Sequence, residues 1–178
     1  MLKKILVCLD GSKFAEGLLP YAIERARRFS SKIVLLKVIN LNVSARIIPM
    51  PGMSGQSVPI IAQDRLDEMI REEEARDRLY LESVATKLRE TGLDADYVAR
   101  HRIVGDTIGD TIVAHAAENE IDLIMMATHR HGFWKHLVSG SVTESVIRKS
   151  SSPILVISPK YDRAKEDAFG KMPQVSST

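Results

Sequence analysis

Four stretches of this chain are apolar almost without a break: "KKILVCLD" at the start, "KIVLLKVIN" from 32, "IDLIMMAT" from 121 and "PILVISP" from 153. A strand with one wet face alternates apolar and polar residues. A strand that is apolar on both sides needs cover on both faces, which is the condition of parallel strands between two layers of helices. These runs therefore demand helices in between, and enough of them to cover both sides of one sheet.

The intervening segments supply that cover. After Asp10, Gly11-Ser12 breaks the first strand and Ser12 suits a helix N-cap. "KFAEGLLPYAIERARRFS" follows, with Phe14, Leu18, Ala22, Ala26 and Phe29 at helical spacing and Arg27-Arg28 at the end where cations favour the helix dipole. Pro20 must kink this helix or shift its start. Residues 63–91 read as a long helix whose apolar positions (Leu66, Met69, Ile70, Leu81, Val84, Leu88) flank the charge-dense "REEEARDR", read as a solvated face. Gly92 is a natural stop. "DADYVARHRIVG" alternates and reads as a third strand; "GDTIGDTIVAHAAENE" reads as a helix opening at Asp106 or Thr107. "SVTESVIRKSS" is the last helix, before the fifth strand. The expected fold class is α/β: a single doubly wound, five-stranded parallel sheet flanked by helices. The 178 residues suit one domain, residues 1–160. Within it, 41–63 carries Pro49, Pro51, Pro59, Gly52 and Gly55 without a period and reads as a loop insertion. A polar tail, 161–178, completes the chain.

Several function classes drop out. A net charge of +2 gives no reason to expect nucleic acid or a membrane surface as partner, and no apolar run reaches the length of a membrane span. The first ten residues hold only a strand-length apolar run and no cleavage site, so they do not read as a secretory signal; a cytoplasmic location is the simplest expectation. Cys8 is the sole cysteine, which excludes an intrachain disulfide and cysteine-only metal sites, and a lone cysteine in an apolar strand is most often a small core residue. P-loop, G-x-G-x-x-G and G-x-S-x-G motifs are absent. His129, His131 and His136 share one loop without metal-ligand spacing on a helix, and Phe133-Trp134 reads as an anchor of that loop to the core.

Ligands of such sheets bind beyond the carboxyl ends of the strands, where the strand order reverses. The strand ends to inspect are Leu9-Asp10-Gly11-Ser12, Val38-Ile39-Asn40 and Ala127-Thr128-His129. Asp10 fits either a ribose- or metal-binding carboxylate or a plain turn residue. Gly140-Ser141 opens the helix "VTESVIRK". There a glycine and free first-turn N–H groups suit an anion, while Ser141 and Glu144 equally fit a capping box.

Taken in order, "KKILVCLDGS", "KIVLLKVIN", Gly105-Asp106, "DLIMMATH" and "GSVTESVIRKSSSPILVI" resemble the universal stress protein family over nearly the whole chain to about Pro159. The resemblance implies a Rossmann-like sheet of the adenine nucleotide alpha hydrolase-like type. It also implies a homodimer paired through the last strand, residues 153–157, and ATP, with Mg2+ as its possible companion, as cofactor. Many members hold ATP with a loop patterned G-x2-G-x9-G-[ST]. Matched here, the positions are Ala127, Arg130 and Gly140-Ser141, with nine residues between Arg130 and Gly140. The spacing is kept and two of three glycines are not. Two outcomes fit Arg130: it blocks the nucleotide, or it swings out and pairs with phosphate. By the same matching Asp10 takes the ribose and Val38 the adenine through its backbone. Ala127, Arg130, Gly140, Ser141, Val142 and Thr143 form the phosphate loop, and Cys8 stands where many nucleotide-binding members have proline. The implied function is a dimeric stress or signalling module that binds adenine nucleotide, with slow or no hydrolysis and at most a weak ATPase activity. The alternative is a dimeric scaffold, its cleft filled by Arg130, acting through an unidentified protein partner. An adenylate-forming enzyme ranks below both, because its S-G-G-x-D-S and H-I-G-H motifs are absent.

Overall fold

The computed structural model describes residues 2–39, 63–102, 106–128 and 142–157. The insertion up to residue 62, the whole loop 129–141 and the tail lie outside the described residues, and with them Arg130, Gly140, Ser141, the three loop histidines and Phe133-Trp134. Five strands form one sheet: β1 (Lys4–Cys8), β2 (Lys32–Ile39), β3 (Ala95–His101), β4 (Leu123–Ala127) and β5 (Ile154–Ile157). Their order is β3-β2-β1-β4-β5, and every pairing is parallel. β1 is therefore central, and the order reverses between β1 and β4. The register places Cys8 beside Leu36 and Val7 beside both Leu35 and Met125.

The expected single helix after β1 is two: α1 (Lys13–Glu16) and α2 (Leu19–Phe29). Ser12 caps α1, its hydroxyl accepting from the Ala15 N–H at 3.1 Å. Pro20 then falls in the first turn of α2, where its missing N–H costs no intrahelical bond. Of the two effects expected of this proline, a shifted start is the one observed. α3 (Gln63–Glu90) ends with Gly92 at φ +81°, and the Leu93 N–H closes back on the Leu88 carbonyl at 3.3 Å. α4 (Ile108–Glu118) opens on Thr107, in a reciprocal capping box with Asp110. α5 (Val142–Lys149) leads into β5.

The cover divides cleanly. Ile5, Val7, Ile33 and Leu35 face one way, into Leu19, Ala22, Leu81, Val84 and Leu88 of α2 and α3. Leu6, Leu36, Ile124 and Met126 face the other way, into Ile112 and Ala116 of α4 and Val146 of α5. Consecutive residues on β1 and β4 thus enter opposite cores, and that is why those runs had to be apolar throughout.

Three expectations from the helical patterns need correction. Phe29 is 41% exposed: it is the last residue of α2, and the next residue, Ser30, turns away at φ 54°. Met69 is 53% exposed, because the buried positions described on α3 all lie from Asp77 onward. The "REEEARDR" segment is not wholly solvated. Asp77 within it is buried and forms an ion pair with Lys37 of β2.

Candidate functional site

The carboxyl ends of β1 and β4 lie side by side where the strand order reverses, so the crevice expected of such sheets falls there. Asp10 follows β1 and is exposed. Its Oδ1 accepts from the Ser12 N–H at 2.8 Å, across Gly11 at φ +89°. The turn reading of this aspartate is therefore correct as far as one oxygen goes. The turn also holds the carboxylate in a fixed direction at the strand end, which a ligand-binding role equally needs. Glycine at 11 has two reasons: the positive φ, and the Lys37 Nζ that stands 3.3 Å from where a β-carbon would be.

Cys8, Val38 and Val142 all pack against the core on the α4–α5 face. One predicted residue each from β1, β2 and the start of α5 thus lies on the same face of the sheet. Thr143 follows Val142 in the first turn of α5 and is half-buried. Ala127 differs: its side chain joins the core on the α2–α3 face, so only its backbone borders the crevice on the α5 side. The next residue, Thr128, donates its N–H to Ile157 at 3.0 Å, which extends the β4–β5 pairing past Ala127. Desolvation raises the Cys8 thiol to about 12, so it stays protonated and acts as a small apolar residue.

Beside the Asp10 charge, the electrostatics of these strand ends involve residues outside the predicted set. Lys37, one residue before Val38, points to the α2–α3 face, where it pairs with Asp77 and lies 5.7 Å from the centre of the Tyr80 ring. The Tyr80 hydroxyl is buried beside the Glu16 carboxyl without closing a hydrogen bond of ordinary geometry. Burial first, and then the Glu16 charge, pushes the phenol above its usual range. Burial likewise raises Glu16. On the other face Arg100, opposite Val38 in the β2–β3 register, holds Glu118 at 2.8 Å. Its guanidinium and the Asn119 amide both approach His115 Nδ1, at 3.4 and 3.2 Å. Both are donors, so Nδ1 is the acceptor and the ring is neutral with its proton on Nε2. Burial, then Arg100, keeps this histidine below its ordinary value.

Sequence reasoning missed the Lys37–Asp77 pair. Two signals were there to find it. Lys37 interrupts an apolar strand, and Asp77 stands four and seven residues before Leu81 and Val84, on their stripe. Among the described residues no group of three or more His, Cys, Asp or Glu is placed to hold a metal ion. No described helix is long and apolar enough to cross a membrane.

Comparison with known proteins fits this architecture. A universal stress protein of Methanocaldococcus jannaschii, MJ0577, is 28% identical over 166 residues, covering 90% of this chain and 97% of its own. Its solved structure superposes with a TM-score of 0.67 at 25% identity, over 91% of this chain and 99% of that one. The fold is also that of a universal stress protein from Archaeoglobus fulgidus in complex with dAMP, with a TM-score of 0.52 at 20% identity over 88% of this chain and 98% of that one. A universal stress protein in complex with cAMP gives a TM-score of 0.56 at 14% identity over 88% and 97%. The model of the universal stress protein family matches residues 1–158, which hold every described strand and helix, and the chain belongs to that family.

Proposed function

We propose that this protein is a stress-response or signalling module that binds ATP or a related adenine nucleotide, as a homodimer, with slow or no hydrolysis. The observation that carries this reading is that Asp10, just past the end of β1, and the end of β4, the strand that precedes α5, lie side by side at the reversal of strand order. A fixed, exposed carboxylate suits ribose hydroxyls, and first-turn N–H groups with the Thr143 hydroxyl suit phosphate. Val38 and Cys8 offer an apolar edge between them for a base. That two family members were solved with dAMP and cAMP adds support from outside the chain. The described residues offer no carboxylate cluster for a metal, so a Mg2+ companion would be carried by the phosphates themselves.

The dimer would form through β5. All four of its residues, Ile154 to Ile157, are apolar and only half-buried, at the edge of the sheet. Such an edge is a ready template for a second copy.

Replacing Gly140 with a bulky residue, Gly140→Leu, is expected to abolish ATP binding in calorimetry while the dimer persists in size-exclusion chromatography. Unchanged ATP affinity would sink the site assignment. Arg130 favours a second reading, a dimeric scaffold without nucleotide, because a side chain stands where the family pattern has glycine. Arg130→Gly separates the two. Under the scaffold reading it creates or strengthens ATP binding; where Arg130 pairs with phosphate, it weakens it.

A further inference from the structure

Gly109 lies in the first turn of α4, is buried, and has no positive φ that would require glycine. Glycine inside a helix is otherwise unfavourable, so its reason must be space. A β-carbon at this position would stand 2.5 Å from Ser145 Cβ, 2.6 Å from Ser145 Oγ and 3.2 Å from the Val142 carbonyl oxygen. Gly109 is therefore where α4 lets α5 come close, and the atoms it admits belong to the opening turn of α5. Two further contacts hold the same approach. The Thr107 and Ser145 hydroxyls are 3.4 Å apart, and Lys149 donates to Asp110 Oδ1 at 2.5 Å. Ser145 and Lys149 are one turn apart on α5, while Thr107 and Asp110 are the two halves of the α4 capping box. One rigid corner of α4 thus sets the height and rotation of α5.

We infer that Gly109 is a positioning residue for the phosphate-binding half of the site: by admitting Val142 and Ser145 it places the α5 N–H groups where they meet the nucleotide phosphates. This inference rests on the nucleotide reading above. Its physical basis is the short reach of N–H···O bonds, which are lost within an ångström of their optimum. The base and ribose contacts would come instead from Val38 and Asp10 at the ends of β2 and β1, whereas the nearest atoms to an added β-carbon at Gly109 all belong to α5. A change at Gly109 should therefore cost phosphate binding and spare nucleoside binding.

The test is calorimetric titration with Mg-ATP and, separately, with adenosine. It compares the full-length wild type with Gly109→Ala, Gly109→Ala/Ser145→Gly and Lys149→Met. Gly109→Ala is expected to lose about tenfold or more in ATP affinity, and to hold its adenosine affinity within about twofold. Ser145→Gly removes the atoms that the new methyl strikes and should restore most of the loss. Lys149 is exposed and about 10 Å along the helix from Val142, so Lys149→Met folds and lacks a direct phosphate role. It should lower the ratio of ATP to adenosine affinity about threefold, and it carries the test if Gly109→Ala does not fold. An unchanged ratio in Gly109→Ala, or in Lys149→Met when it stands alone, overturns the inference and leaves the nucleotide reading standing. A wild type that binds neither ligand overturns both.

Discussion

The two faces of the sheet are built differently. On the α2–α3 side, long aliphatic side chains from α2, α3 and four strands close a large core, and a buried ion pair, Lys37–Asp77, sits at its carboxyl end. On the α4–α5 side the core is smaller, α4 and α5 approach through a glycine, and a neutral histidine takes the place of the ion pair. Three of the residues matched to nucleotide binding, Cys8, Val38 and Val142, belong to this second face, while Ala127 belongs to the first. The difference teaches a division of labour. One face supplies most of the buried apolar area and hence most of the stability. The other is shaped to bring α5 close against α4.

The sharpest way to break this comparison is to truncate each core. Leu81 and Val146 are both fully buried. Leu81→Ala is expected to cost about 3 kcal/mol in urea denaturation, and Val146→Ala about 1–2 kcal/mol. Equal costs would show that the two faces share stability evenly. Next in size is the ion pair. Asp77→Ala leaves the Lys37 ammonium poorly solvated and should cost about 2–3 kcal/mol, while Lys37→Met/Asp77→Leu should recover most of it. If the double variant is no better than the single one, the pair is needed for more than mutual neutralisation.

A smaller effect separates the faces by pH. His115 is held below its ordinary value of 6.5 in the folded state, so the unfolded chain takes up its proton first. Its contribution is whole above about pH 6.5 and is lost progressively as the pH falls toward the lower folded value. His115→Gln should therefore flatten the stability profile below that pH, by about 1 kcal/mol or less. A profile as steep as the wild type's would assign the slope to other groups. The smallest effect is no reaction at all. With its thiol raised to about 12, Cys8 should resist a disulfide reagent at pH 8 in the folded protein and react fully in urea.

Much of the fold was legible in the chain. Apolar runs of strand length, separated by helical patterns and stopped at Gly11 and Gly92, led to five parallel strands because each signal is local and repeated. The Ser12 cap and the shifted helix start at Pro20 were legible for the same reason. The long helix was misread in part, because "REEEARDR" looks solvated until a lysine on a strand forty residues earlier turns out to face Asp77. Candidate residues were found by their match to a family pattern more than by their own chemistry. An Asp-Gly turn looks alike whether or not it serves a ligand.

What the sequence by itself determined is the alternation of elements and the requirement that the sheet be covered on both faces, since period and burial are written into neighbouring residues. What only the tertiary structure decided is which side chains meet across it. Lys37 finds Asp77, Arg100 and Asn119 find His115, and Gly109 admits Ser145. These contacts join residues from about fifteen to forty positions apart, apart from the helical His115–Asn119 step, and depend on strand order and helix crossing. No local pattern carries that information, because it exists only once the sheet has been assembled.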